Sequence, residues 1–139
     1  MMVNLNRMRF LIGYERRLRF DRLKKFAKAT KITTVITGMP RGSGTGNQVE
    51  IGAMELAEVE DSYREVVAEL KAMQDELDQL LPSLDNPDDI GIMRLRYIHC
   101  WRLQDIPDAV CLSERAMYYH LAGAERKLTR MYPDKVVFR

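Results

Sequence analysis

Apolar residues recur at alternating spacings of three and four along the middle of the chain, at Leu56, Val59, Tyr63, Val66, Leu70, Met73, Leu77 and Leu80. A run of this kind over more than three heptads predicts one long helix with an apolar seam. Pro82 should stop it, since proline has no N–H and crowds the turn before it. Val67 and Leu81 fall beside the seam and widen the stripe, which suits burial against more than one neighbour. The N-terminal pattern is looser: Leu5, Met8, Ile12, Leu23 and Phe26 share one side, Leu11 and Leu18 flank them, and Arg16 and Arg19 intrude. Those arginines are placed to meet Glu60, Glu69 and Glu76. Residues from about 4 to 30 and about 50 to 81 are therefore expected to form an antiparallel helical hairpin, with boundaries good to a few residues.

Between the two helices, Thr33-Thr34-Val35-Ile36 should be a short extended piece, and Gly42-Ser43-Gly44-Thr45-Gly46 a flexible loop, together spanning 32–48. This loop is not of the phosphate-cradling kind, because no Gly-Lys-Ser/Thr follows it. The second junction is sharper. Asn86 is placed as an N-cap, Pro87 at the first helical position, and Asp88 and Asp89 in the first turn, where carboxylates favour a helix start. The chain thus divides into a hairpin arm, residues 1–81, and a C-terminal module, residues 84–139, all of it α-helical.

The module has the spacing of a helix-turn-helix. An apolar run closes at Ile98, His99-Cys100-Trp101 break it, and a short helix follows with Leu103, Ile106 and Val110 inward. Cys111-Leu112 make a tight turn, and Ser113 is a good N-cap for a third helix. In that helix Met117, Leu121, Ala124 and Leu128 form one apolar face. Ser113, Glu114, Arg115, Tyr118 and Tyr119 lie near its start, where a recognition helix reaches base edges in a major groove. Arg102, Arg126, Lys127 and Arg130 are placed to meet phosphates instead.

The Leu95-Arg96-Tyr97 stretch, Ile106-Pro107 and the Val110-Cys111-Leu112-Ser113 turn resemble region 4 of sigma-70-type factors. Two positions depart from that pattern. Pro107 stands where a small residue is usual, so the second helix should be short or begin late. Cys111 stands where glycine is usual, in a turn that often needs positive φ. With a basic N-terminal helix, a Met39-Pro40-Arg41-Gly42-Ser43-Gly44 stretch and the acidic heptad helix, nearly the whole chain resembles the RinA/ArpU-type phage late-gene transcription activators. The resemblance implies a double-stranded DNA target upstream of phage late genes and action with the host RNA polymerase.

Charge sharpens this picture. The net charge is +2, yet residues 1–31 carry +8, residues 32–87 carry −8 and residues 88–139 carry +2. The basic and acidic stretches are expected to neutralise one another within the chain before either meets a nucleic acid. No run of membrane-spanning length and no export signal is evident, so a cytoplasmic protein without a membrane partner is expected. His99, Cys100, Cys111 and His120 can all ligate zinc, but their spacing matches no paired-ligand pattern and no cofactor is expected. Catalysis is not expected either, since the two histidines both sit in the helix-turn-helix and the carboxylates are strung along one helix. The expected function is a DNA-binding regulator, with a homodimer formed through the heptad helix at Val67 and Leu81. Two alternatives remain: a helical adaptor that binds protein, and a DNA-packaging protein like a terminase small subunit.

Overall fold

A computed structural model describes the backbone of residues 2–38 and 44–138, with side chains for 2–28 and 54–138. The protein is all-α. Helix α1 spans Leu5–Gly38 and α2 spans Gly44–Leu80. A 3₁₀ turn, Leu81–Ser83, leads to α3, Pro87–Met93, which continues into a π-helical turn at Arg94–Ile98. A second 3₁₀ turn, Leu103–Asp105, runs into α4, Ile106–Val110, and α5 spans Glu114–Met131. Two short strands, β1 (Val3–Asn4) and β2 (Val136–Val137), pair in parallel. Among the described residues no helix is long and apolar enough to cross a membrane.

The expected extended piece at Thr33–Ile36 is helical instead, as α1 runs on to Gly38. Threonine, valine and isoleucine cost only a few tenths of a kcal/mol each in a helix, while each added residue of an existing helix gains a hydrogen bond. At the other side α2 already begins at Gly44. The rest of the anticipated loop, residues 39–43, lies outside the described residues.

By its contacts the chain forms two compact units, Met1–Ile12 with Glu69–Arg139, and Gly13–Ala68. In the second, α1 and α2 run antiparallel, as the ion pairs Arg22–Glu60 (3.2 Å) and Lys25–Glu55 (3.0 Å) show. The expected seam is there, with Leu18 and Val66 buried and Tyr63 donating a 3.0 Å hydrogen bond to the buried Glu15. Lys25 and Lys28, both bonded to Glu55, hold its carboxyl below the usual range. The pairing differs from expectation in detail. Glu60 is met by Arg22 and Arg19 pairs with Glu15 on its own helix. Leu23 and Phe26, expected inside, are exposed. The inward face of α1 advances through Leu11, Glu15, Leu18, Arg22 and Lys25, and a 3.6-residue period carries Leu23 off it.

In the first unit Leu5, Met8, Leu11 and Ile12 of α1 and Leu70, Met73, Leu77 and Leu80 of α2 are buried. Glu69 pairs here with Arg7, at 3.0 Å. Leu81, expected to leave apolar surface on the arm, is wholly buried: Pro82 ends α2 and the 3₁₀ turn carries Leu81 into the core. Val67 is half-buried, so this flank is not the open face of the arm. Asn86 caps α3 as expected, its side chain accepting from the N–H of Asp88 at 2.9 Å. The C-terminal tail is held by the N-terminus through Val3↔Val136 and Asn4↔Val137, with Val136 buried.

Candidate nucleic-acid interface

Four local devices set the path of the chain through the module. The first is the end of the π-helical turn, where the Gln74 amide of α2 donates to the carbonyls of Tyr97 (2.8 Å) and Ile98 (3.3 Å), satisfying acceptors that a helix C-terminus leaves open. The second is Pro107, which sits in the first turn of α4, where its missing N–H costs nothing; the helix is short and begins late, as expected. The third is Cys111, at φ 57° and ψ 39°, whose N–H closes the end of α4 on Asp108 and Pro107. The fourth is Ser113, which accepts from the N–H of Ala116 at 3.1 Å and starts α5.

The left-handed conformation of Cys111 costs a residue with a Cβ about 1–2 kcal/mol, and its exposed side chain adds little packing in return. Part of the relief is offset by the greater freedom of glycine in the unfolded chain. Cys111→Gly should therefore raise stability by about 0.5–1 kcal/mol, read as a higher urea midpoint at unchanged slope.

Helix α5 buries Met117, Leu121, Ala124 and Leu128, the face the sequence pattern requires, and also Glu125. Its other side is open. Glu114, Arg115, Tyr118, Tyr119, Arg126, Lys127 and Arg130 are all exposed, Tyr119 to 74%. Arg115, Tyr119 and Arg126 recur on one line of that face, spread over about 16 Å of helix. Among the described residues Arg102, Glu114, Arg115, Tyr118 and Arg130 make no side-chain hydrogen bond or ion pair. Arg126 donates to the Ala122 carbonyl at 3.3 Å, and Lys127 lies 4.0 Å from Asp89. Arg102 precedes the 3₁₀ turn at Leu103–Asp105 and is exposed.

Behind this face lie two groups that the sequence reading missed. His120, weighed as a zinc ligand, has its Nδ1 2.7 Å from Oδ1 of the buried Asp89 in α3. Among the described residues no group of three or more histidines, cysteines and carboxylates is placed to hold a metal ion. On the other side Glu125 accepts from the Tyr97 hydroxyl at 2.7 Å and pairs with Arg9, which also donates to Tyr97 at 2.9 Å. The Arg9 guanidinium lies 4.7 Å from the centre of the Phe138 ring. A groove of about 550 Å³ runs beside this cluster, lined by Arg9, Ala122, Glu125, Arg126, Thr129 and Phe138. The one sequence signal for the cluster is a glutamate inside an otherwise apolar helix face.

Burial, then the Glu125 charge and hydrogen bond, push the Tyr97 hydroxyl well above the ordinary tyrosine pKa, against the opposing effect of Arg9. A group whose folded-state pKa is raised contributes stability that is full below its unfolded value, near 10, and is lost as pH rises through the folded value. Stability should therefore fall above about pH 10, with a shallower fall in Tyr97→Phe. Of the six tyrosines, one should show tyrosinate absorbance only as the protein unfolds. Six tyrosines ionising together in the folded state would refute this.

The fold is thus an all-α protein in which a long helix, α2, leads into a compact module ending on an exposed, capped helix. The chain belongs to the family described as "Protein of unknown function (DUF1492)", whose model matches residues 41–129. The matched stretch takes in α2 as described and α3 to most of α5, and it leaves out α1. No curated protein and no solved structure matches the chain.

Proposed function

We propose that this protein is a sequence-specific double-stranded-DNA-binding regulator of transcription, with the N-terminal half of α5 entering the major groove. The observation that carries this reading is the open side of α5, which is anchored by its apolar face and capped by Ser113. Its other side presents Arg115 and Tyr118, which have no side-chain hydrogen bond or ion pair among the described residues, beside Tyr119 and Arg126. In this reading Arg115, Tyr118 and Tyr119 contact base edges, while Ser113 and Glu114 place the helix start. Arg102, Arg126, Lys127 and Arg130 meet phosphates. The resemblance to RinA/ArpU-type activators supports a role at phage late genes with the host polymerase, in the cytoplasm and without catalysis.

Selection of duplexes from a random pool, followed by fluorescence anisotropy on the enriched sequence, tests this proposal. Enrichment of a shared motif is expected, and a pool that stays random would overturn it. Arg102→Ala and Arg126→Ala should weaken binding alike on all sequences and each flatten the salt dependence by about one unit. Lys127→Ala should flatten it less, because Asp89 already stands against that charge. An unchanged slope would remove Arg102 and Arg126 from the phosphate contacts.

A further inference from the structure

The Gly13–Ala68 unit carries two outward helix faces whose side chains its own packing does not use. On α1, Gly13, Arg17, Phe20, Lys24 and Ala27 are exposed at alternating spacings of four and three, a second heptad line on the side away from α2. Leu23 lies beside it, and Phe20 and Leu23 are each 63% exposed. On α2, Met54, Ala57, Glu58, Asp61, Glu65 and Ala68 are exposed on the side away from α1, with Met54 65% exposed. Each line covers 14 residue steps, about 21 Å of helix.

The charges on these lines are left over from the hairpin. Ion pairs inside it use Arg19, Arg22, Lys25 and Lys28 against Glu15, Glu55 and Glu60. Among the described residues Arg17, Lys24, Glu58 and Glu65 have no ion-pair partner, and Asp61 has only Arg64 at 3.9 Å. Arg17 and Lys24 instead lie over the rings of Tyr14 and Phe20, at 5.4 and 5.7 Å. One face is therefore aromatic and basic, and the other is acidic with small alanines that let a bulky side chain approach.

We infer that the partner for each face is a second copy of this chain, with α1 of one copy seated along α2 of the next. Whichever way the partner helix runs, Arg17 and Lys24 meet Glu65 and Glu58, and Phe20 reaches the stretch around Ala57 and Asp61. Like faces cannot pair, because α1 on α1 sets the same cations together and α2 on α2 the same acids. The two faces point away from each other across the hairpin, so one two-fold contact cannot satisfy both. The contact is head-to-tail, and it continues from copy to copy until a ring closes or a chain extends. This contact uses neither the α5 face nor the Val67 and Leu81 flank, and it holds whether or not the protein binds DNA.

Sedimentation at tens of micromolar, in low salt, tests it in four samples: wild type, Arg17→Glu with Lys24→Glu, Glu58→Lys with Glu65→Lys, and the two double variants mixed. Wild type is expected above the mass of one chain, each double variant at one chain, and the mixture restored to a higher mass. The fourfold variant, with both reversals in one chain, should assemble alone. Restoration shows that the double variants were folded, since an unfolded chain offers no face to its complement. A wild type at the mass of one chain, a double variant that keeps the wild-type mass, or a mixture and fourfold variant that both stay single would each overturn the inference.

Discussion

Arg9→Met is expected to destabilise the protein by about 3 kcal/mol, the low end of the range for breaking a buried ion pair from one side. The variant leaves the Glu125 carboxylate, whose side chain is 8% exposed, with the Tyr97 hydroxyl as its remaining partner among the described residues. The low end applies because Arg9 itself keeps 32% of its side chain in solvent and gives up part of its desolvation cost when removed. Glu125→Gln on the wild-type background should cost less, since an amide oxygen still accepts from both donors. In the Arg9→Met background it should recover stability by removing the stranded charge. Urea unfolding of the two single variants and the double variant checks this as a cycle. Simple additivity of the two losses would sink the buried-pair account. The consequence reaches α5 directly, because Glu125 lies in its buried face and Tyr97 in the turn that leads toward α4.

On the proposed DNA-binding reading, Arg115→Ala should reduce discrimination between the selected duplex and a random one by about 1–3 kcal/mol, roughly five- to 160-fold, through loss of a bidentate contact to guanine. Affinity for the random duplex should fall much less. The side chain has no competing partner among the described residues, so its full donor set is open to a base edge. Arg115→Lys should rescue little of the discrimination, because an ammonium cannot reproduce the planar fork. Equal losses on both duplexes, measured by anisotropy at one salt concentration, would assign Arg115 to the backbone and leave the tyrosines as the sequence readers.

Much of the fold is legible in short stretches of sequence because its causes are local. The heptad line from Leu56 to Leu80, the caps at Asn86 and Ser113, and the late start of α4 with Pro107 in its first turn each depend on residues within a turn or two. The exposed side of α5 follows from the same arithmetic: once Met117, Leu121, Ala124 and Leu128 are inside, Arg115 and Tyr119 must be outside. Periodicity alone is weaker on α1. It places Leu23 and Phe26 on the buried side, yet the face that meets α2 passes through Glu15, Arg22 and Lys25 and leaves both apolar residues outside.

The sequence by itself determined an all-α chain, a long acidic helix, and a capped terminal helix with one apolar and one open face. Only the tertiary structure decided which charges meet. Arg9 finds Tyr97 and Glu125 across 88 and 116 positions, and His120 finds Asp89 across 31. It also decided that Leu81 turns inward, that Val3 pairs with Val136, and that the open sides of the hairpin are the Phe20 face of α1 and the acidic face of α2. The physical reason is that helix formation and capping respond to neighbours along the chain. Pairing between distant groups depends on where the packed helices bring them, and no spacing within either segment encodes it.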